Sequence, residues 1–223
     1  MFYKKKIFII SIICNIINGF DLCIMGASSG LGREIIYQGL NKKNKKNENM
    51  KILALTSNPN NIKIPYRGGG LNNKNNKNNK DSNLLLRSPN LEICKYNDFV
   101  NYNFSNIVFT SGAQPFQNDY SDILTKNILN SKSLCLKNIV LISAYGVGNS
   151  LHDSNAGIKI MNSFYLQDAY RAKNVQEELI NEYKKNNKET NIQIFRPKGL
   201  SYGINMYGLK SREILANEIL ELF

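Results

Sequence analysis

The chain has 223 residues, enough for one domain with a sizeable core and too few for two ordinary ones. Its 42% hydrophobic and 10% aromatic content excludes wholesale disorder. The net charge of +12 does not by itself indicate a nucleic-acid partner: much of the excess sits in Lys-Asn tracts at 42–47 and 72–80 and in Lys4-Lys5-Lys6, and only six of the 29 basic residues are arginine, the residue suited to bidentate recognition of phosphate or guanine.

Residues 1–20 stand apart. A basic start, Met1 to Lys6, leads into Ile7 to Ile17, which is almost wholly apolar. That is the layout of a secretory or organelle-targeting segment, and it is too short for a comfortable membrane span. Membrane contact is therefore expected only through residues 1–20, if they are retained; without them the chain reads as cytoplasmic. The domain proper runs from 21 to 223.

From Asp21 strand and helix alternate. Leu22 to Met25 is a short apolar run ending in glycine, as a buried parallel strand does. Leu31, Ile35, Ile36 and Leu40 then keep helical spacing. Further strands are expected at Lys51–Leu55, Leu91–Cys94, Asn106–Thr110, Ile139–Ser143 and Ile192–Phe195, with helices over about 117–134, about 162–186 and Ser211–Leu222. The segment Ser57–Asn90 shows no helical period. Its stretch 68–83, with Gly68-Gly69-Gly70 and dense Asn and Lys, reads as a disordered insertion in place of a crossover helix. Alternation of this kind implies an α/β protein with a parallel sheet covered on both faces. The four cysteines, Cys14, Cys23, Cys94 and Cys135, lie far apart in apolar stretches with only His152 as company. They read as buried free thiols rather than metal ligands.

The most informative stretch is Gly26-Ala27-Ser28-Ser29-Gly30-Leu31-Gly32-Arg33, between the first strand and the first helix. Gly26 permits a tight turn, Gly30 lets backbone approach a pyrophosphate, and Gly32 permits close packing of helix on strand. The helix N-terminus then offers free N–H groups to an anion.

These residues resemble the glycine pattern of the short-chain dehydrogenase/reductase family, and the similarity extends over nearly the whole chain from Asp21. Thr110-Ser111-Gly112-Ala113 resembles the family's Asn-Ala-Gly turn. Ile139 to Ser143 with Ala144-Tyr145-Gly146 resembles its fifth strand and catalytic-serine segment. Tyr170-Arg171-Ala172-Lys173 stands where the family carries Tyr-x-x-x-Lys, and Phe195-Arg196-Pro197-Lys198-Gly199 resembles the segment whose backbone meets the nicotinamide. Lys173 with Glu177 or Glu178, Arg196-Pro197 and Ser211-Arg212-Glu213 look most like the atypical branch, which includes flavin- and biliverdin-reductase-like and NmrA-like proteins.

The resemblance implies a three-layer Rossmann fold with a doubly wound parallel sheet. It implies cofactor contacts from Gly26, Ser28, Ser29, Gly30, Leu31, Gly32, Arg33, Thr56, Ser57, Asn58, Asp98, Ser111, Gly112, Ala113, Lys173, Pro197 and Gly199, and catalytic roles for Ser143, Tyr170 and Lys173. One departure stands out. The residue four before Lys173 is Ala169, and Tyr170 is rotated from the family position by roughly 100° of helix. The proton donor is thus Tyr170, Tyr145 or solvent, or the fold binds dinucleotide without turnover. The end of the second strand, Thr56-Ser57-Asn58, lacks the carboxylate that holds an adenosine 2′-hydroxyl, which favours NADP(H) over NAD(H). The expected partner is a small organic substrate reached from loops 146–160 and 201–208. The alternative is a non-catalytic, redox-sensing protein.

Overall fold

Runs of consecutive apolar residues build the centre of this protein. In a computed structural model that describes residues 19–59, 62, 88–111, 120–131, 134–151, 166–201 and 210–223, they form six strands: β1 Leu22–Met25, β2 Ile52–Thr56, β3 Leu91–Lys95, β4 Asn106–Phe109, β5 Asn138–Ile142 and β6 Asn191–Phe195. The helices are α1 Gly30–Leu40, α2 Ser121–Leu129, α3 Gln167–Asn186 and α4 Arg212–Leu220. All six strands pair in parallel in the order β3-β2-β1-β4-β5-β6.

Because side chains alternate along a strand, the sheet has two apolar faces. Leu22 and Ile24 of β1, Ile52 and Ala54 of β2, and Val140 and Ile142 of β5 pack with Ile35 and Ile36 of α1 and Leu215 and Ile219 of α4. Cys23, Met25, Leu53, Leu55, Ile107, Phe109, Ile139 and Leu141 face the other way, onto Ile128 of α2 and Ile180 of α3. The result is a three-layer Rossmann fold, doubly wound about β1 and β4. Its topological switch point, where an α/β sheet opens a crevice for ligands, lies at the carboxyl ends of those two strands.

Strand positions agree with the apolar runs to within a residue or two, while α2 is shorter than its apolar pattern. It stops at Leu129, and Asn130 caps it by donating its N–H to the Lys126 and Ile128 carbonyls. Tyr96–Asn101 forms a 3-10 helix between β3 and β4, and Leu200–Ser201 (β7) pairs with Lys210–Ser211 (β8) in a separate two-stranded sheet. Cys23 and Cys94 are buried as expected, but Cys135 is exposed. It sits in the loop before β5, where Leu134 and Leu136 on either side turn inward and leave it outside. Cys14, His152, the insertion at 68–83 and most of the proposed lids 146–160 and 201–208 lie outside the described residues. Among the described residues no helix is long and apolar enough to cross a membrane, and no cluster of His, Cys, Asp or Glu suits a metal ion.

Candidate functional site: the carboxyl ends of the strands

At the end of β1 the chain reaches Gly26, whose φ of +86° is left-handed and favours glycine. A Cβ at this position would fall 2.5 Å from the Ser111 nitrogen, so the turn abuts the end of β4. The N–H groups of Gly26 and Ala27 both donate to the Leu55 carbonyl, at 3.1 and 3.0 Å, which ties the turn to the end of β2. Ser29 then caps α1. Its extended backbone and its Oγ, which accepts from the Gly32 N–H at 2.9 Å, start the helix, and the Arg33 N–H donates to the Ser29 carbonyl at 2.9 Å.

Gly32 lets α1 come down onto that turn. A Cβ there would lie 2.5 Å from the Gly26 carbonyl oxygen and 2.9 Å from both Ser29 Oγ and Thr110 Oγ1. Thr110, which opens the Thr110-Ser111-Gly112-Ala113 motif but is given no contact of its own by the resemblance, is the peg beneath the loop. Its buried hydroxyl lies 3.0 Å from both the Met25 and Gly26 carbonyls, which share its one proton, and it accepts from Ser29 Oγ at 3.2 Å. The N–H groups of Ser28, Gly30 and Leu31 have no acceptor among the described residues. Helix start, dipole and free N–H groups together make a cradle for an anion. The Leu31 side chain belongs to the core, so only its N–H is available to a ligand.

Along the same edge, Ser57 and Asn58 are exposed after β2, and Asp98 is exposed in the first turn of the 3-10 helix after β3. Thr56 is fully buried, and its hydroxyl accepts the Asn58 N–H at 3.3 Å, so it shapes the loop rather than facing solvent. Arg33 is half-buried on the first turn of α1.

On the other side of the switch point, Lys173 is 7% exposed on α3, and its Nζ donates to the Ser111 carbonyl and, at 2.8 Å, to Gln176 Oε1. Lys173 therefore reaches across to the same end of β4 against which Gly26 packs. Ser143, just after β5, is buried; its N–H donates to the Phe195 carbonyl at 2.8 Å, and its Oγ has no partner among the described residues. The Ser111 Oγ is in the same position. Gly112 and Ala113 lie outside the described residues.

Tyr170 does not join Lys173. Its hydroxyl donates to the Tyr145 carbonyl at 3.0 Å, and burial pushes its pKa above the ordinary tyrosine value. The Tyr145 N–H in turn donates to the Pro197 carbonyl at 3.2 Å, and the Gly199 carbonyl accepts the Lys210 N–H at 3.0 Å. Below them, Arg196 forms a two-pronged ion pair with buried Glu177, at 2.9 and 2.7 Å, which joins α3 to the end of β6. Gly148 lies over this pair with φ +54°, and a Cβ there would fall 2.4 Å from Glu177 Oε2. A separate cavity of about 510 Å³, lined in part by Phe20, Lys51, Asn90 and Tyr102, lies at the amino ends of the strands, away from the glycine turn.

Among solved structures the chain is similar to an anaerobillin reductase, ChuY, from Escherichia coli O157:H7, with a TM-score of 0.57, 14% identity, and 91% and 89% of the two chains covered. It is also similar to a Rossmann-fold NAD(P)-binding family protein from Shigella flexneri, with a TM-score of 0.52 and 13% identity over 92% and 86% of the chains. A short-chain dehydrogenase/reductase from Vibrio parahaemolyticus gives a TM-score of 0.52 and 16% identity over 89% and 90%. No family model matches the chain, and no curated protein matches it in sequence. These likenesses and the strand order agree: the chain has the three-layer Rossmann fold of these proteins.

Proposed function

We propose that this protein binds NADP(H) at the carboxyl ends of β1, β2 and β4 and is an oxidoreductase acting on a small organic substrate. The observation that carries the reading is the turn from Gly26 to Gly32, where two glycines are required by close approach and three N–H groups are left for an anion. A pyrophosphate suits that cradle in charge, since the helix start and its N–H groups favour an anion. The neighbours described as a reductase and as NAD(P)-binding support the same cofactor class. Exposed Ser57 and Asn58 put no carboxylate at the end of β2, which accommodates a 2′-phosphate and favours NADP(H).

When bound, the nicotinamide supplies hydride chemistry. In this reading Lys173, held at the end of β4, binds the ribose hydroxyls, and the Ser143 hydroxyl orients a substrate oxygen. Tyr170 is a poor acid, because its proton is engaged by the Tyr145 carbonyl and burial raises its pKa rather than lowering it. In this reading the proton is left to Tyr145 or to solvent. The same placement of Tyr170 favours a second reading, a dinucleotide-binding sensor without turnover. NADPH fluorescence on binding, followed by a substrate screen with Lys173→Met as control, separates the two. Turnover that Lys173→Met abolishes supports the enzyme; binding without turnover on any carbonyl or conjugated substrate supports the sensor; no binding of either nicotinamide nucleotide contradicts both.

A further inference from the structure

Resting on this role for Lys173, we infer that Gln176 is a positioning residue that fixes the lysine ammonium in the site. Gln176 is fully buried, one turn after Lys173 on α3. Its Oε1 accepts from Lys173 Nζ at 2.8 Å, while its Nε2 donates to Thr125 Oγ1 at 2.6 Å and to the Ser121 carbonyl at 3.2 Å. This polarity cannot reverse. Thr125 Oγ1 gives its single proton to the Ser121 carbonyl at 2.7 Å, so towards Gln176 it can only accept, and a carbonyl only accepts. Both α2 acceptors thus demand the amide nitrogen and turn Oε1 towards the lysine.

Lys173 is therefore held from two sides, by the Ser111 carbonyl at the end of β4 and by an amide whose orientation α2 dictates. A carboxamide is the group that satisfies both ends. Glutamate would set a carboxylate against two oxygens that offer it no proton, and an apolar residue would remove a buried acceptor from the ammonium. The packing of α2 on α3, remote from the glycine turn in sequence, in this way reaches the cofactor site.

The test uses the full-length protein with ¹⁵N-labelled lysine. Hydrogen exchange of the Lys173 ammonium is read by NMR, and NADPH affinity is measured for wild type, Gln176→Met, Lys173→Met and the double variant. Gln176→Met is expected to speed ammonium exchange and weaken NADPH each by about tenfold. In the Lys173→Met background it is expected to change affinity by less than about twofold, since the partner through which it acts is gone. Thr125→Val, a milder change that removes the orienting acceptor, shifts exchange in the same direction and serves if Gln176→Met does not fold. Unchanged ammonium exchange overturns the inference, and so does an equal loss of affinity with and without Lys173. If exchange depends on Gln176 while wild type binds neither NADPH nor NADH, the positioning stands and the cofactor reading falls.

Discussion

Replacing Gly32 with alanine puts the glycine turn under direct strain. The new methyl would lie 2.5 Å from the Gly26 carbonyl oxygen, where ordinary contact needs about 3.5 Å, and that backbone atom cannot swing aside. It would also lie 2.9 Å from Ser29 Oγ and Thr110 Oγ1, so the N-cap and the peg beneath it both shift. Overpacking costs about 1–3 kcal/mol and a weakened cap about 1 more, while alanine's helix propensity returns up to about 1. The net loss is about 1–3 kcal/mol, or about 2–12 °C in Tm for a domain of this size. NADPH affinity falls by more than about tenfold, because the atoms that move are those of the cradle. Gly39→Ala on the same helix is the control. Its Cβ would meet the tip of Ile52, Cδ1, at 2.7 Å, a flexible side-chain end away from the turn, so affinity should hold. Thermal melts and NADPH fluorescence titration read both variants. Wild-type affinity and Tm for Gly32→Ala, or equal loss of affinity in Gly39→Ala, would refute the reasoning.

Four further outcomes are expected. Glu177→Gln halves a paired charge set in which Glu177 is buried and Arg196 about a quarter exposed, which costs about 2 kcal/mol and about 4–8 °C in a thermal melt. Tyr170→Phe removes the bond to the Tyr145 carbonyl but leaves kcat within about threefold of wild type; were Tyr170 the acid, the loss would be about a hundredfold or more. Burial pushes the Cys94 thiol from 9.0 to about 12 and holds the Cys23 thiol well above its ordinary value, so alkylation at pH 8, mapped by mass spectrometry, reaches exposed Cys135 and spares these two. The same shift has a thermodynamic sign. Between pH 9 and about 12 the unfolded Cys94 thiol has lost its proton and the folded one keeps it, so Tm declines as pH rises through that window and is unaffected by this group below it.

What the sequence made legible follows from which physical signals are local. β1, β2 and β5 announce themselves as unbroken apolar runs because both of their faces are covered, and the glycine turn is recognisable because close approach and positive φ restrict it to one residue type. The pair β7 and β8 escapes notice because two residues carry no period. Helix α2 reads too long because Leu134 and Leu136, buried in a loop, extend its apolar pattern. Thr110 and Gln176 were missed for a different reason, since a threonine or a glutamine is ordinary anywhere until its partners are known. A signal for Gln176 does exist: Ala172, Lys173, Gln176, Glu177 and Ile180 make the buried stripe of α3, and polar residues inside such a stripe demand partners. The offset of Tyr170 from Lys173 was visible as spacing, but only the bond to the Tyr145 carbonyl shows where its proton goes.

If the carboxyl ends of β1, β2 and β4 hold NADP(H), calorimetric titration of the full-length protein with NADPH and with NADH registers it without any variant or substrate. A micromolar constant is expected for NADPH and binding of NADH weaker by about tenfold or more, in keeping with the end of β2 at Ser57 and Asn58, which carries no carboxylate. Tighter binding of NADH would contradict the reading of that edge, and heat from neither nucleotide would contradict the site itself.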